Sequence, residues 1–141
     1  MRKKELLINH FNFRSQHLQL QAVPLNKDCH SAARIAFLDV AESQEIELLD
    51  VPEHSSLAQM CPPGAPYFYV EVSKDARLFH RVRKGFPIQF GREVLASPPL
   101  LNMEERVDWR ECKADKETET QMTKAFRKLF APFDFTLEDD E

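Results

Sequence analysis

The run Pro66-Tyr67-Phe68-Tyr69-Val70-Glu71-Val72-Ser73-Lys74-Asp75-Ala76-Arg77-Leu78-Phe79-His80-Arg81-Val82-Arg83 decides the fold class. Aromatic and β-branched side chains crowd Tyr67 to Val72 and Arg77 to Arg83, and such side chains suit a pleated, half-buried surface. The polar Ser73-Lys74-Asp75-Ala76 between them is turn chemistry, so the runs read as a β-hairpin. Pairing Val72 with Leu78 places Phe68, Val70, Val72, Leu78, His80 and Val82 on one face. Tyr67, Tyr69, Glu71, Phe79, Arg81 and Arg83 then share the other. A one-residue slip would mix charge into the core.

Upstream, His17 to Val23 alternates strictly, with His17, Gln19 and Gln21 on one face and Leu18, Leu20 and Ala22 on the other, which reads as a half-buried strand closed by Pro24. Asp28 or Ser31 can cap a helix running to about Ser43, whose apolar face is Ala33, Ile35, Ala36, Phe37, Val40 and Ala41. Ile46 to Val51 reads as a short strand and Glu53 to Pro66 as an irregular connection. Downstream, Pro87 suits a first helical turn, and Ile88, Phe90, Val94 and Leu95 continue a helix that Pro98-Pro99 stops. Gly91 inside it costs about 1 kcal/mol relative to Ala, which points to a close approach by something else. A final helix is capped by Asp115, carries Glu117 and Glu119 at its start and Arg127 and Lys128 at its end, and stops at Pro132. The expected class is α+β, a short antiparallel sheet with a β-hairpin packed against helices.

The chain has 141 residues, 43% hydrophobic and 30% charged, enough for one core-forming domain or one and a fraction. Cys29, Cys61 and Cys112 are odd in number and far apart, which fits a reducing compartment. No apolar stretch approaches the roughly 20 residues of a membrane span, and Leu6-Leu7-Ile8 is too short for a signal-peptide core. The histidines and cysteines show no zinc-ligand spacing, Trp109 reads as a partly buried anchor, and no cofactor is implied. Net charge is −4, yet Arg77 to Arg92 carries Arg77, Arg81, Arg83, Lys84 and Arg92 without an acid, whereas Asp134 to Glu141 is a solvated acidic end.

His17-Leu18-Gln19-Leu20-Gln21-Ala22-Val23 has the histidine-triad spacing, with glutamine at the second and third histidine positions. In that superfamily the middle imidazole attacks phosphorus, and a carboxamide has no lone pair of comparable basicity. Further matches are Pro66 to Glu71, the Pro-x-Gln-Phe-Gly-Arg-Glu run at Pro87 to Glu93, Ala125-Phe126-Arg127-Lys128, and Pro132-Phe133-Asp134-Phe135. Together these resemble the C-terminal region of the CwfJ-like family of splicing-associated proteins. The resemblance implies that residues 1–27 are the end of a histidine-triad-like first domain, contributing its residual strand, and that residues 28–138 are the second C-terminal domain. The first half of the triad domain is not matched, so the chain reads as a fragment or short isoform.

The resemblance implies a non-catalytic, nuclear module that binds intron-lariat or single-stranded RNA, without DNA specificity or membrane attachment. His17, Gln19 and Gln21 would face ligand, Arg81, Arg83, Lys84 and Arg92 would hold phosphates, and Tyr67, Tyr69 and Phe79 would stack bases. Alternatively, the rings pack beneath the Pro87 to Ser97 helix, the arginines pair with acids such as Glu71, and Arg92 forms a buried pair with Glu71 or Glu93. Two other functions stay open. One is an adaptor that docks a lariat-debranching enzyme or spliceosomal protein through Phe133 and Phe135. The other is a nucleotide hydrolase working through His17.

Overall fold

The computed structural model describes the backbone of residues 4–12, 15–98 and 100–137, and the side chains of residues 18–98 and 100–136. The His17 imidazole, Pro99 and residues 138–141 of the acidic end lie outside them. The class is α+β, as expected. Strands β1 (Lys4–Asn12), β2 (Ser15–Leu25), β3 (Leu49–Asp50), β4 (Tyr67–Ser73) and β5 (Ala76–Arg81) form one antiparallel sheet in the order β2-β1-β4-β5-β3. The helices are α1 (Lys27–Ser43), α2 (Leu57–Met60), α3 (Phe90–Ala96) and α4 (Lys116–Phe130).

Leu6-Leu7-Ile8, weighed above only as a leader, belongs to β1, where Leu7 pairs with Ala22 on one side and Glu71 on the other. In the hairpin Val70, not Val72, faces Leu78, and Ser73 faces Ala76 around a Lys74-Asp75 turn, with an irregularity between Glu71 and Ser73. The register therefore differs from expectation by two residues. A shift of two preserves side-chain parity, so both expected faces survive.

One face of the sheet packs Phe68, Val70, Val72 and Leu78 with Leu25 against Ala33, Ala36, Phe37 and Ala41 of α1 and Phe90, Val94 and Leu95 of α3. Phe68 and Phe90 meet edge to face at 5.2 Å, and Phe37 lies 6.1 Å from Phe90, geometries that add to area burial. The opposite face buries Tyr69 and Phe79 with Val51 and Cys61, packed by Leu57, Met60, Ala65 and Tyr67. The connection expected to be irregular thus supplies a cover, in which Ser56 and Gln59 form a capping box for the single turn of α2.

Other expectations need correction. Helix α1 starts after Asn26, while Ser31 Oγ donates to Asp28 O at 2.8 Å, so neither Asp28 nor Ser31 is the cap. Ile35 is 59% exposed, so the buried stripe of α1 is narrower than its apolar sequence. Strand β3 shrinks to Leu49–Asp50 because Ile46 N–H turns back to Ala41 O at 2.8 Å and Glu45 takes φ 56°. Leu18 and Leu20 are exposed along with Gln19 and Gln21, so this part of β2 is not half-buried. It is an edge strand that joins the core at its end, through Val23 and the fully buried Leu25, and an edge also tolerates Pro24.

Two compact units divide the chain, Met1–Val107 and Asp108–Glu141. In the second, Asp115 caps α4 by accepting from Thr118 N–H at 2.8 Å, and that bond holds its carboxyl below the ordinary aspartate range. Trp109 is exposed rather than a partly buried anchor, and Met122, Phe126, Leu129, Phe133 and Phe135 are exposed as well.

Candidate functional site

A groove of about 550 Å³ opens where β5 runs out. Arg81, Arg83 and Lys84 form the basic part of its wall, and Gln44, Glu45 and Glu47 from the loop after α1 form the acidic part. Ile46, Leu49, Met60, Phe79, Phe86 and Pro87 contribute apolar lining between them.

Each wall is held by identifiable bonds. His80 Nδ1 donates to Glu47 O at 2.7 Å, and its ring stacks on Phe86 with centroids 5.1 Å apart. The acceptor is a carbonyl, so the Nδ1 position must carry the proton. Gln44 Nε2 donates to Glu93 Oε2 at 2.9 Å, anchoring the start of the acidic wall to α3. Arg34 Nη2 reaches both carboxylate oxygens of Asp50 at 2.8 Å, tying α1 to β3. On the basic side, Gly85 adopts φ 94° immediately after Lys84, a conformation that glycine takes at little cost. Among the described residues, no ion pair links Arg81, Arg83 or Lys84 to a carboxylate.

Of the residues expected to form the site, Arg81, Arg83 and Lys84 are exposed and share one wall. Tyr69 and Phe79 are buried at 5% and 2% exposure, which leaves no ring face for a base. They pack on the α2 side of the sheet and not beneath the Pro87 to Ser97 helix. Tyr67 is half-buried and stacks on Phe79 at 6.1 Å. The Tyr69 hydroxyl donates to Glu71 Oε2 at 2.8 Å, and burial followed by that carboxylate pushes its pKa up to about 12. Burial, with Cys61 nearby, also raises the Tyr67 phenol.

Arg92 is not on the groove; its Nη2 donates to Arg106 O at 2.7 Å and ties α3 to the 104–106 turn. Gln19 and Gln21 are exposed on β2 at the far edge of the sheet. Strands β1 and β4 intervene before β5, an offset on the order of 14 Å at ordinary strand spacing. The expected ligand surface therefore separates into a glutamine-bearing edge and a basic groove. The acidic wall went unrecognised in the sequence because Glu45 and Glu47 lie in a polar segment whose position depends on His80, a long-range partner. A small apolar cleft formed by Leu18, Leu57, Cys61, Pro62 and Tyr67 lies on the α2 side. Among the described residues no helix is long and apolar enough to cross a membrane.

The fold and groove define an α+β module with α1 and α3 on one face of its sheet, the short α2 on the other, and a charged cleft at the end of β5. A family described as "Protein similar to CwfJ C-terminus 2" matches residues 41–136, and the chain belongs to this family. It is 50% identical to CWF19-like protein 1 of Mus musculus over 140 residues, covering 98% of this chain and 26% of the relative. It is 43% identical to CWF19-like protein 1 homolog of Caenorhabditis elegans over 137 residues, 97% of this chain and 26% of that protein. CWF19-like protein mug161 of Schizosaccharomyces pombe is 33% identical over 124 residues, 85% of this chain and 20% of its own length. The chain thus spans about a quarter of the length of the first two relatives.

The run from Pro87 to Glu93, the most specific feature of the family resemblance, is used structurally. Phe90 and Gly91 are buried, Arg92 holds the 104–106 turn, and Glu93 accepts from Gln44 of the acidic wall.

Proposed function

We propose that the chain is a non-catalytic RNA-binding module of a CwfJ-like protein, acting in the nucleus in splicing and intron-lariat turnover. Arg81, Arg83 and Lys84 contact the phosphates of single-stranded or lariat RNA. The observation that carries this reading is their placement side by side on an open groove wall, with no carboxylate partner among the described residues. Unpaired surface cations bind polyanions mainly by counterion release. Gln19 stands where a histidine-triad enzyme has its nucleophile, which supports recognition without turnover. On the same reading, residues 1–27 are the end of the triad-like domain and residues 28–138 the second domain, and the exposed Gln19 and Gln21 edge meets ligand.

Filter binding to single-stranded and branched RNA across a salt series tests the proposal. With three phosphate contacts, the log–log slope should be about −2. Replacing Arg81, Arg83 and Lys84 by alanine should flatten it. A flat response of the natural chain, or no binding at low salt, overturns it.

A second reading, docking to a debranching enzyme or spliceosomal protein, is favoured by the exposed Met122, Phe126, Leu129, Phe133 and Phe135 of the second unit. Pull-down from nuclear extract after nuclease treatment separates the two. Retention of the partners that depends on those side chains favours docking, and loss of every partner counts against it.

A further inference from the structure

We infer that the groove selects guanine among the bases of bound RNA, with Glu47 as the reader. This rests on the RNA reading above and adds a chemical specificity to it. A site for phosphate alone would be hindered by acids in its lining. Here Arg81, Arg83 and Lys84 share the groove lining with Glu45 and Glu47, and no ion pair joins the two sets among the described residues. The ligand that suits both sets is anionic at one end and a hydrogen-bond donor at the other. A nucleotide within a strand has that polarity, and a cleft of about 550 Å³ lies in the size range of small-molecule sites.

The identity of the base follows from the donor inventory. An ionised carboxylate only accepts hydrogen bonds, so it favours base edges that donate. On its Watson–Crick edge guanine presents N1–H beside N2–H₂, two donors that match the two oxygens of one carboxylate. Paired, charge-assisted bonds of this kind are strong and directional. Uracil offers N3–H between two carbonyl oxygens that a carboxylate repels, and adenine and cytosine each present one amino group beside an acceptor. The apolar lining from Ile46, Leu49 and Pro87 supplies a surface for the flat of the base.

Glu47 is favoured over Glu45 and Gln44 because of how each is held. The Glu47 main chain is fixed by His80 at 2.7 Å, which limits the arc of its side chain. Gln44 already uses its amide nitrogen on Glu93. Glu45 follows the cap residue Gln44 of α1 in a left-handed conformation, φ 56°.

The test uses the whole chain and oligouridylates of roughly eight nucleotides, a length within the range of single-stranded binding sites. The central base is uracil, guanine or hypoxanthine, the last being guanine without its 2-amino group. The guanine oligonucleotide should bind about tenfold more tightly than the all-uridine one, in line with the discrimination given by a good bidentate contact. The hypoxanthine version should fall between them. Glu47→Gln should remove most of the guanine preference, and a preference retained in full by that variant overturns Glu47 as the reader. Equal binding of the guanine and uracil oligonucleotides, with binding still lost in the Arg81, Arg83 and Lys84 alanine variant, overturns guanine selection and leaves the phosphate reading standing. Absence of binding to all three at low salt overturns both.

Discussion

The His80 ring joins β5 to the acidic wall of the groove, its Nδ1 donating to the main-chain carbonyl of Glu47 at 2.7 Å. The bond crosses from a sheet strand to a loop that has, among the described residues, one other long-range side-chain tie, the Gln44 to Glu93 contact. His80→Ala should therefore loosen residues 45–48 while leaving the core intact. The lost hydrogen bond is worth about 1 kcal/mol. Hydrogen exchange should show faster exchange in that loop, with β4 and α1 unchanged; unaltered protection there would contradict the assigned role.

Phe90 is fully buried between Phe37, Phe68 and Phe86, with centroid separations of 6.1, 5.2 and 5.6 Å. Truncation to alanine removes a ring that no neighbour can replace. Phe90→Ala should cost about 3–5 kcal/mol, a large part of a typical domain's total stability of about 5–15 kcal/mol. Urea denaturation followed by circular dichroism measures this. A loss under about 1 kcal/mol would mean that α3 does not depend on this packing.

The chain has two tyrosines, and both phenols are raised in the fold, Tyr69 to about 12. The folded state keeps the Tyr69 proton at pH values where the unfolded chain, with a value near 10, releases it. Its contribution is fully present below pH 10 and is lost as pH rises towards about 12. Phenolate absorbance should rise later in the native protein than in denaturant, and Tyr69→Phe should remove the latest part of that rise. Coincident native and denatured titrations would contradict the buried Tyr69–Glu71 bond.

Gly85 has room for a methyl group, since no atom lies within 4 Å of the position its Cβ would take, but its φ of 94° disfavours L side chains. Gly85→Ala should cost about 1–2 kcal/mol in local strain or shift the turn that carries Lys84. RNA affinity should fall while the thermal transition moves by only a few degrees. Unchanged affinity would show that the Lys84 turn takes no part in binding.

Incubation with dinucleoside polyphosphates and nucleotidyl amides should give no turnover, because Gln19 cannot act as a nucleophile. Turnover abolished by His17→Ala would overturn the non-enzymatic reading.

Much of the fold was legible in local pattern. Alternation at Tyr67 to Val72 and Arg77 to Arg83 marked β4 and β5 and sorted their faces correctly despite a register error of two, because parity is insensitive to an even shift. Asp115 and the charges that follow it marked the start of α4. Strand β1 was missed because its apolar run carried no turn signal and drew a leader-peptide comparison instead. Trp109 read as a partly buried anchor and is exposed, because burial depends on what covers a side chain, which the local sequence does not record.

The site was legible only in part. The basic wall stood out because Arg81, Arg83 and Lys84 are close in sequence. Tyr67, Tyr69 and Phe79 were correctly placed on the face opposite the main core, yet a second apolar cluster buries Tyr69 and Phe79, and its members Val51, Leu57, Met60 and Cys61 come from a segment without periodic pattern. Residue order determined the class of fold, the hairpin, the family and the run of cations, since each depends on neighbours along the chain. Tertiary structure decided that β2 and the cations occupy different parts of the sheet, that the tyrosine-bearing face is covered, and that Glu45 and Glu47 line the same groove as Arg81, Arg83 and Lys84. Those outcomes depend on strand order and on bonds such as His80 to Glu47, between residues 33 positions apart, and local side-chain pattern carries no record of them.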